Sequence, residues 1–133
     1  MSVRQYVASD LDHLRQMHAA QGFDYAFPDV TDPLFLSKLV VEDSGRPVMA
    51  CLARLTCEIY LLVDREAGSP SERFRWLLDL HRAGEADLAA RGLEDAHAWL
   101  PPPIAKRFGR RLEAFGWIRD DKWTPYCRHL IEP

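Results

Sequence analysis

The spacing of hydrophobic positions changes several times along the chain, and each change predicts an element. Val3 to Ala8 alternates and predicts a first strand. Leu11, Leu14, Met17 and His18 then recur at helical spacing. Ser9 stands before them as a cap, with Asp12 three residues on, and Gly22 occupies the C′ position, so a helix is predicted over residues 10–21. Phe23-Asp24-Tyr25-Ala26-Phe27-Pro28-Asp29 has no period and reads as a loop. Asp32 followed by Pro33 predicts a short second helix over Pro33–Ser37. Leu39–Glu42 and Pro47–Leu55 are β-rich runs joined by Asp43-Ser44-Gly45-Arg46, a hairpin turn. Cys57–Val63 is apolar after Glu58 and predicts a buried central strand.

The clearest local signal is Ser69-Pro70-Ser71-Glu72, in which Ser69 caps, Pro70 takes N1 and Glu72 reaches back from N3. Phe74, Leu77, Leu78 and Leu88 follow on one face of a long helix ending near Gly92. Ala96–Leu100 predicts a strand stopped by Pro101-Pro102-Pro103. Ile104, Phe108, Leu112 and Phe115 mark a last helix closed by Gly116, and Trp117–Arg119 and Trp123–Leu130 predict a terminal pair of strands, with Pro125 at an edge or a bulge. This order predicts an α/β (α+β) fold: a mixed, mostly antiparallel central sheet with helices on both faces.

The chain of 133 residues has the length of a single domain, 1–133. A hydrophobic fraction of 47% with 28% charged residues excludes a disordered chain. Net charge is −3, so nucleic acid is not an expected partner, but the charge is unevenly placed. Residues 1–100 hold 10 Lys/Arg against 16 Asp/Glu, a net of −6, and residues 101–133 hold 7 against 4, a net of +3. Cys51, Cys57 and Cys127 form no CxxC and are odd in number. With no apolar leader segment, reduced thiols in a cytoplasmic protein are expected. The apolar runs are short, so no membrane span is expected. The five histidines show no ligand spacing with one another or with the cysteines; no metal is expected, and each reads as a surface or core-edge residue.

The element order, the Cys57–Val63 strand leading into a capped helix, and Phe115-Gly116-Trp117 together resemble the GNAT acetyltransferase superfamily over about residues 2–130. The resemblance implies a single GNAT-like domain in which acetyl-CoA lies between two splayed central strands. The CoA pyrophosphate would then sit on the start of the helix after the fourth strand, where free N–H groups and the dipole attract an anion. The family's Gln/Arg-x-x-Gly-x-Gly/Ala signature fits two registers here. One begins at Arg65 and keeps Gly68, with Ser69 and Pro70 following; the other, counted from Val63, places Gly68, Ser71 and Arg73 at the signature positions. Arg73 and Arg75 bring cations to a phosphate, whereas Pro70 removes a donor and Glu72 adds a carboxylate. The same residues also read as a purely structural cap.

The resemblance further implies transfer of acetyl, or another short acyl group, from CoA to a primary amine by direct attack. Glu58 takes the place of the family's base, and its other reading is a solvent-exposed strand-end carboxylate. Backbone N–H groups near Leu61, Leu62 and Val63 would hold the thioester carbonyl. The family's acid, a Tyr, falls at Leu112, and its Asn at Ala105; Tyr126 or Tyr60 is left to protonate the thiolate. On the acceptor side, residues 22–33 interleave Phe23, Tyr25 and Phe27 with Asp24, Asp29 and Asp32 and hold no Lys or Arg. Phe23, Asp24 and Tyr25 would suit a cationic amine, small or peptidic; equally, the aromatics pack inward and the Asp residues form turns. Lys106, Arg107, Arg110 and Arg111 form a basic stripe for a CoA phosphate, an acidic partner or solvent. The terminal strand offers an edge for a homodimer. A GNAT-fold binding module without catalysis is the alternative reading.

Overall fold

The computed structural model describes residues 1–131 and falls into two compact units, Met1–His97 and a second from Ala98 onward. The elements of the first are β1 (Ser2–Gln5), α1 (Leu11–Gln21), β2 (Phe35–Asp43), β3 (Arg46–Arg54), β4 (Cys57–Glu58), α2 (Pro70–Ala90) and β5 (Ala96–His97). The second contains α3 (Pro102–Ala114). The chain is therefore mixed α/β. In place of one central sheet there are two, an antiparallel β1-β2-β3 sheet and a parallel β4-β5 pair.

The antiparallel sheet follows from local chemistry. Asp43 pairs with Arg46 across Ser44 and Gly45, both at positive φ (52° and 79°), the conformation of a two-residue turn whose twist matches the strands. Pro47 falls where the register shifts between Val41 and Glu42, so its missing N–H is absorbed by the irregularity. Lys38–Leu52 and Leu39–Cys51 continue the ladder, and β1 closes the other side of β2 from Ser2–Glu42 to Gln5–Leu39. The fully buried side chains are few: Val40 on β2 is 0% exposed, and Leu14 of α1 and Val30 of the loop join it in the core.

The chain enters α1 through a 3-10 turn, Ala8–Asp10, and the cap differs from the expected Ser9 with Asp12. Asp10 is the working residue. Its carboxylate accepts from the Val7 N–H (2.9 Å) and from both terminal nitrogens of Arg4 (2.8 Å each) and is only 3% exposed. That bidentate pair holds the Asp10 carboxyl down at about 2 and ties β1 to the start of α1. Gly22, at φ +71°, ends α1 as expected.

Several expected elements are absent or shorter. Pro33–Ser37 is not a helix: the Asp32 carboxylate accepts from Leu34 N–H (2.9 Å), its carbonyl accepts from Phe35 N–H (3.0 Å), and β2 begins at Phe35. The strand expected over Cys57–Val63 is reduced to Cys57–Glu58, and Leu62 beyond it is 92% exposed. Ala96–Leu100 is likewise reduced to Ala96–His97.

In the second unit, α3 ends in a Schellman motif. Gly116 (φ +96°) donates to Glu113 O at 3.0 Å and Trp117 donates to Leu112 O at 3.0 Å. The strands expected at Trp117–Arg119 and Trp123–Leu130 are not formed among the described residues. A strand needs a ladder partner, Pro125 lacks a donor, and Arg119 bonds locally to Asp121 (2.9 Å). The edge expected to serve a homodimer is therefore not present as a strand.

Candidate functional site

The parallel β4–β5 pair brings together two titratable residues that lie far apart in sequence, since Cys57 pairs with Ala96 and Glu58 with His97. The ladder continues as Ile59 N–H donates to His97 O at 2.7 Å, and the Cys57 thiol reaches Asp95 O at 3.5 Å. Arg54, at the end of β3, fixes where β5 begins. It contacts Glu94 at 3.2 Å and Asp95 more closely, and Asp95 holds its guanidinium further in the charged form. The carboxyl of Asp32 hydrogen-bonds Glu94 and pushes it up, while Leu34 N–H holds Asp32 down, so the two carboxyls are shifted in opposite directions.

Glu58 is exposed at the end of β4, because the strand stops there instead of running on to Val63. Its carboxylate accepts from Tyr60, whose phenol is pushed up by that hydrogen bond. The sequence reading named Glu58 and offered Tyr60 as an acid, but it missed His97. Only the strand pairing reveals that neighbour.

At the start of α2, Ser69 Oγ accepts from Glu72 N–H and Glu72 Oε1 accepts from Ser69 N–H, both at 3.1 Å. The reciprocal cap forms as expected. It engages two of the N–H groups that an anion would use, and Pro70 at N1 contributes none. Arg73 turns back over the loop, donating through Nη1 to Ala67 O (3.0 Å) and Gly68 O (2.8 Å), so a permanent cation sits at the helix start. Gly68 is required twice. Its φ is +64°, and a Cβ would lie 2.6 Å from Trp76 Cη2. Ser71 and Arg65 flank this turn, and Leu61, Leu62 and Val63 precede it as exposed chain outside any strand.

The loop after α1 is a braced aromatic platform. Gly22 opens it and buried Val30 closes it. Lys38 Nζ donates to Val30 O (2.8 Å) while lying over the Tyr6 ring at 5.3 Å. Asp29 accepts from Thr31 through both backbone and hydroxyl, which holds its carboxyl down. Phe23 and Tyr25 stack with centroids 6.1 Å apart and 16° between planes, and both are exposed. His18, in the last turn of α1, meets Tyr25 edge-on at 4.8 Å and Phe27 at 5.6 Å. Its Nε2 is buried with no hydrogen-bond partner. Sequence reading placed His18 among the background histidines; the signal that marks it is its position one turn before an aromatic loop.

Tyr126 lies in the second unit and is 95% exposed. Lys106, Arg107, Arg110 and Arg111 are exposed along α3. Among the described residues, no helix is long and apolar enough to cross a membrane. No protein-family model matches the chain, and no curated protein or solved structure matches it at a significant level.

Proposed function

We propose that the chain is an acyl-CoA-dependent N-acyltransferase of GNAT type, moving acetyl or another short acyl group from CoA to a primary amine. The observation that supports this most is the β4–α2–β5 unit, two adjacent parallel strands joined by a capped helix, with Glu58 on the first strand. In this reading Glu58 accepts the proton of the attacking amine, directly or through water. The amine nitrogen bonds to the thioester carbonyl carbon, the oxyanion is held by backbone N–H groups of residues 61–63, and the C–S bond breaks. The thiolate takes its proton from Tyr60 or water. Arg65 and Arg73, with Gly68, Ser69 and Ser71, receive the pyrophosphate, and Phe23, Asp24 and Tyr25 receive the amine. Cytoplasmic location accords with the free thiols of Cys51, Cys57 and Cys127.

A second reading, a GNAT-fold binding module without turnover, is favoured by the Ser69–Glu72 cap, which sets a carboxylate where a pyrophosphate would lie. Calorimetric titration with acetyl-CoA separates transferase from unrelated protein, and no heat at high micromolar ligand overturns the transferase reading. Turnover with a panel of amines separates enzyme from module. The transferase reading expects Glu58→Gln to keep acetyl-CoA binding and lose about 10²–10⁴-fold in rate; an unchanged rate removes Glu58 as the base.

A further inference from the structure

We infer that the outer edge of β3 pairs with β3 of a second copy of this chain. The two strands run antiparallel across a two-fold axis, so that two three-stranded sheets join into one of six strands. None of the residues involved is used by the transferase reading.

The two edges of the β1-β2-β3 sheet are guarded unequally. β1 is four residues long and carries Arg4, a short and charged edge of the kind that resists further pairing. β3 is nine residues long, and among the described residues no strand lies on its outer side. Its proline, Pro47, and the register shift beside it both fall at the hairpin end. From Val48 to Ala53 the strand holds no charge, no proline and no glycine. Backbone N–H and C=O groups point outward along such an edge and form a template for another strand.

Side chains widen this edge into a surface. Cross-strand partners share a face, so Val3, Val41 and Met49 form one row and Gln5, Leu39 and Cys51 the next. Neither row holds a charge. Val3 is 63% and Met49 65% exposed, and Cys51 is exposed on the edge strand itself.

Charge selects a second copy as the occupant. Arg46, at the start of β3, is exposed and has no ion-pair or hydrogen-bond partner for its side chain among the described residues. Arg54, at the other end, is surrounded by carboxyls: Glu94 at 3.2 Å, Asp95 closer, and Asp32 hydrogen-bonded to Glu94. One end of β3 therefore has a cation to spare and the other an excess of carboxyls. Antiparallel self-pairing sets the spare cation of each copy at the acidic end of the other, and the match is made twice. With Ala50 at the axis, the midpoint of β3, Met49 meets Cys51 and Val48 meets Leu52 of the other copy. Such a contact is closed at two copies, so the unguarded edge ends in a dimer rather than a fibre.

The test is sedimentation of the full chain, kept reduced, from about 1 µM to about 500 µM. A single strand pair buries less than the roughly 800 Å² per partner of standard interfaces, so a dimer with micromolar dissociation is expected. Met49→Lys puts a charge on the edge at an exposed side chain and is expected to weaken the dimer by about tenfold. Arg46→Glu is expected to weaken it by about fivefold, with added salt restoring part of that loss. A short bismaleimide, its products read by peptide mass spectrometry, is expected to join Cys51 to Cys51, which lie within about 8 Å across the axis. A chain that remains monomeric to the top of the range overturns the inference. So does a dimer that both substitutions leave unchanged, or linking confined to Cys57 and Cys127. Should Met49→Lys not fold, Arg46→Glu and the Cys51 link decide.

Discussion

Between Ser2 and Arg54, β2 meets β3 through a two-residue turn and β1 meets β2 across the segment that holds α1, and the buried side chains of the described residues lie here: Leu14, Val30 and Val40, with Asp10 in its ion pair. Between Cys57 and His97 the partners are joined only by a long crossover, the paired strands are two residues each, and α2 has no buried residue at all. The same first unit thus contains a region held by core packing and a region held by caps and polar clasps. The difference shows what each kind of sequence signal is able to specify. Caps fix where a helix begins, whereas burial fixes what it packs against.

The largest expected effect comes from deleting core on one side of this contrast. Leu14→Ala costs about 3 kcal/mol in urea unfolding, and Leu80→Ala on α2, which is mostly exposed, stays within about 0.5 kcal/mol. Equal losses would erase the distinction between the two regions. Next in size, Asp10→Asn removes the charge-assisted pair with Arg4 and costs about 2 kcal/mol at pH 7. The Asp10 carboxyl is lowered in the folded chain, so its contribution is fully present above the unfolded carboxylate range near pH 4. It is then lost as pH falls toward about 2. Wild type should lose that increment between these limits and Asp10→Asn should not, as stability measured at successive pH values will show. A smaller loss than these belongs to the turn that enters the capped region. Gly68→Ala forces a side chain into a left-handed position against Trp76 and costs about 1.5 kcal/mol, seen as faster amide exchange in the first turn of α2. A neutral Gly68→Ala would mean that the turn ahead of α2 is not held in this form.

Local chemistry made much of the fold legible. Gly22, Ser44-Gly45, Ser69-Pro70 and Gly116 each mark a turn or a helix end by a conformational demand that one or two residues satisfy. Asp32-Pro33 misled because an Asp side chain that caps a helix also closes a turn, and the strand-forming run that begins at Phe35 decided between them. Ser9 misled for a related reason. Asp10, one residue on, has Arg4 within reach, and a bidentate pair outcompetes a neutral hydroxyl. Apolar composition in Cys57–Val63 predicted burial, but burial needs a covering surface, and composition does not carry that.

The candidate site divides along the same line. Glu58, Gly68, Ser69, Arg73 and the aromatic loop were readable from residue type and spacing. His97 and the Asp32–Glu94–Arg54–Asp95 cluster depend on chain segments meeting in space. His18 was visible as a residue but not as a chemical group, because only the packed rings of Tyr25 and Phe27 show that its nitrogen is buried without a partner.

The β4–β5 ladder also has a consequence in time. The β2–β3 hairpin closes over two residues, while pairing Cys57 with Ala96 requires the whole of α2 and its flanking loops to be gathered first. Loop closure alone makes that step dearer by on the order of 2 kcal/mol. Only two residues per strand repay it, so the ladder joining Glu58 to His97 forms late in folding and opens early in native-state fluctuations. Any activity that needs those two residues side by side is therefore switched on by the last contact the first unit makes, and it is lost before the antiparallel sheet unfolds.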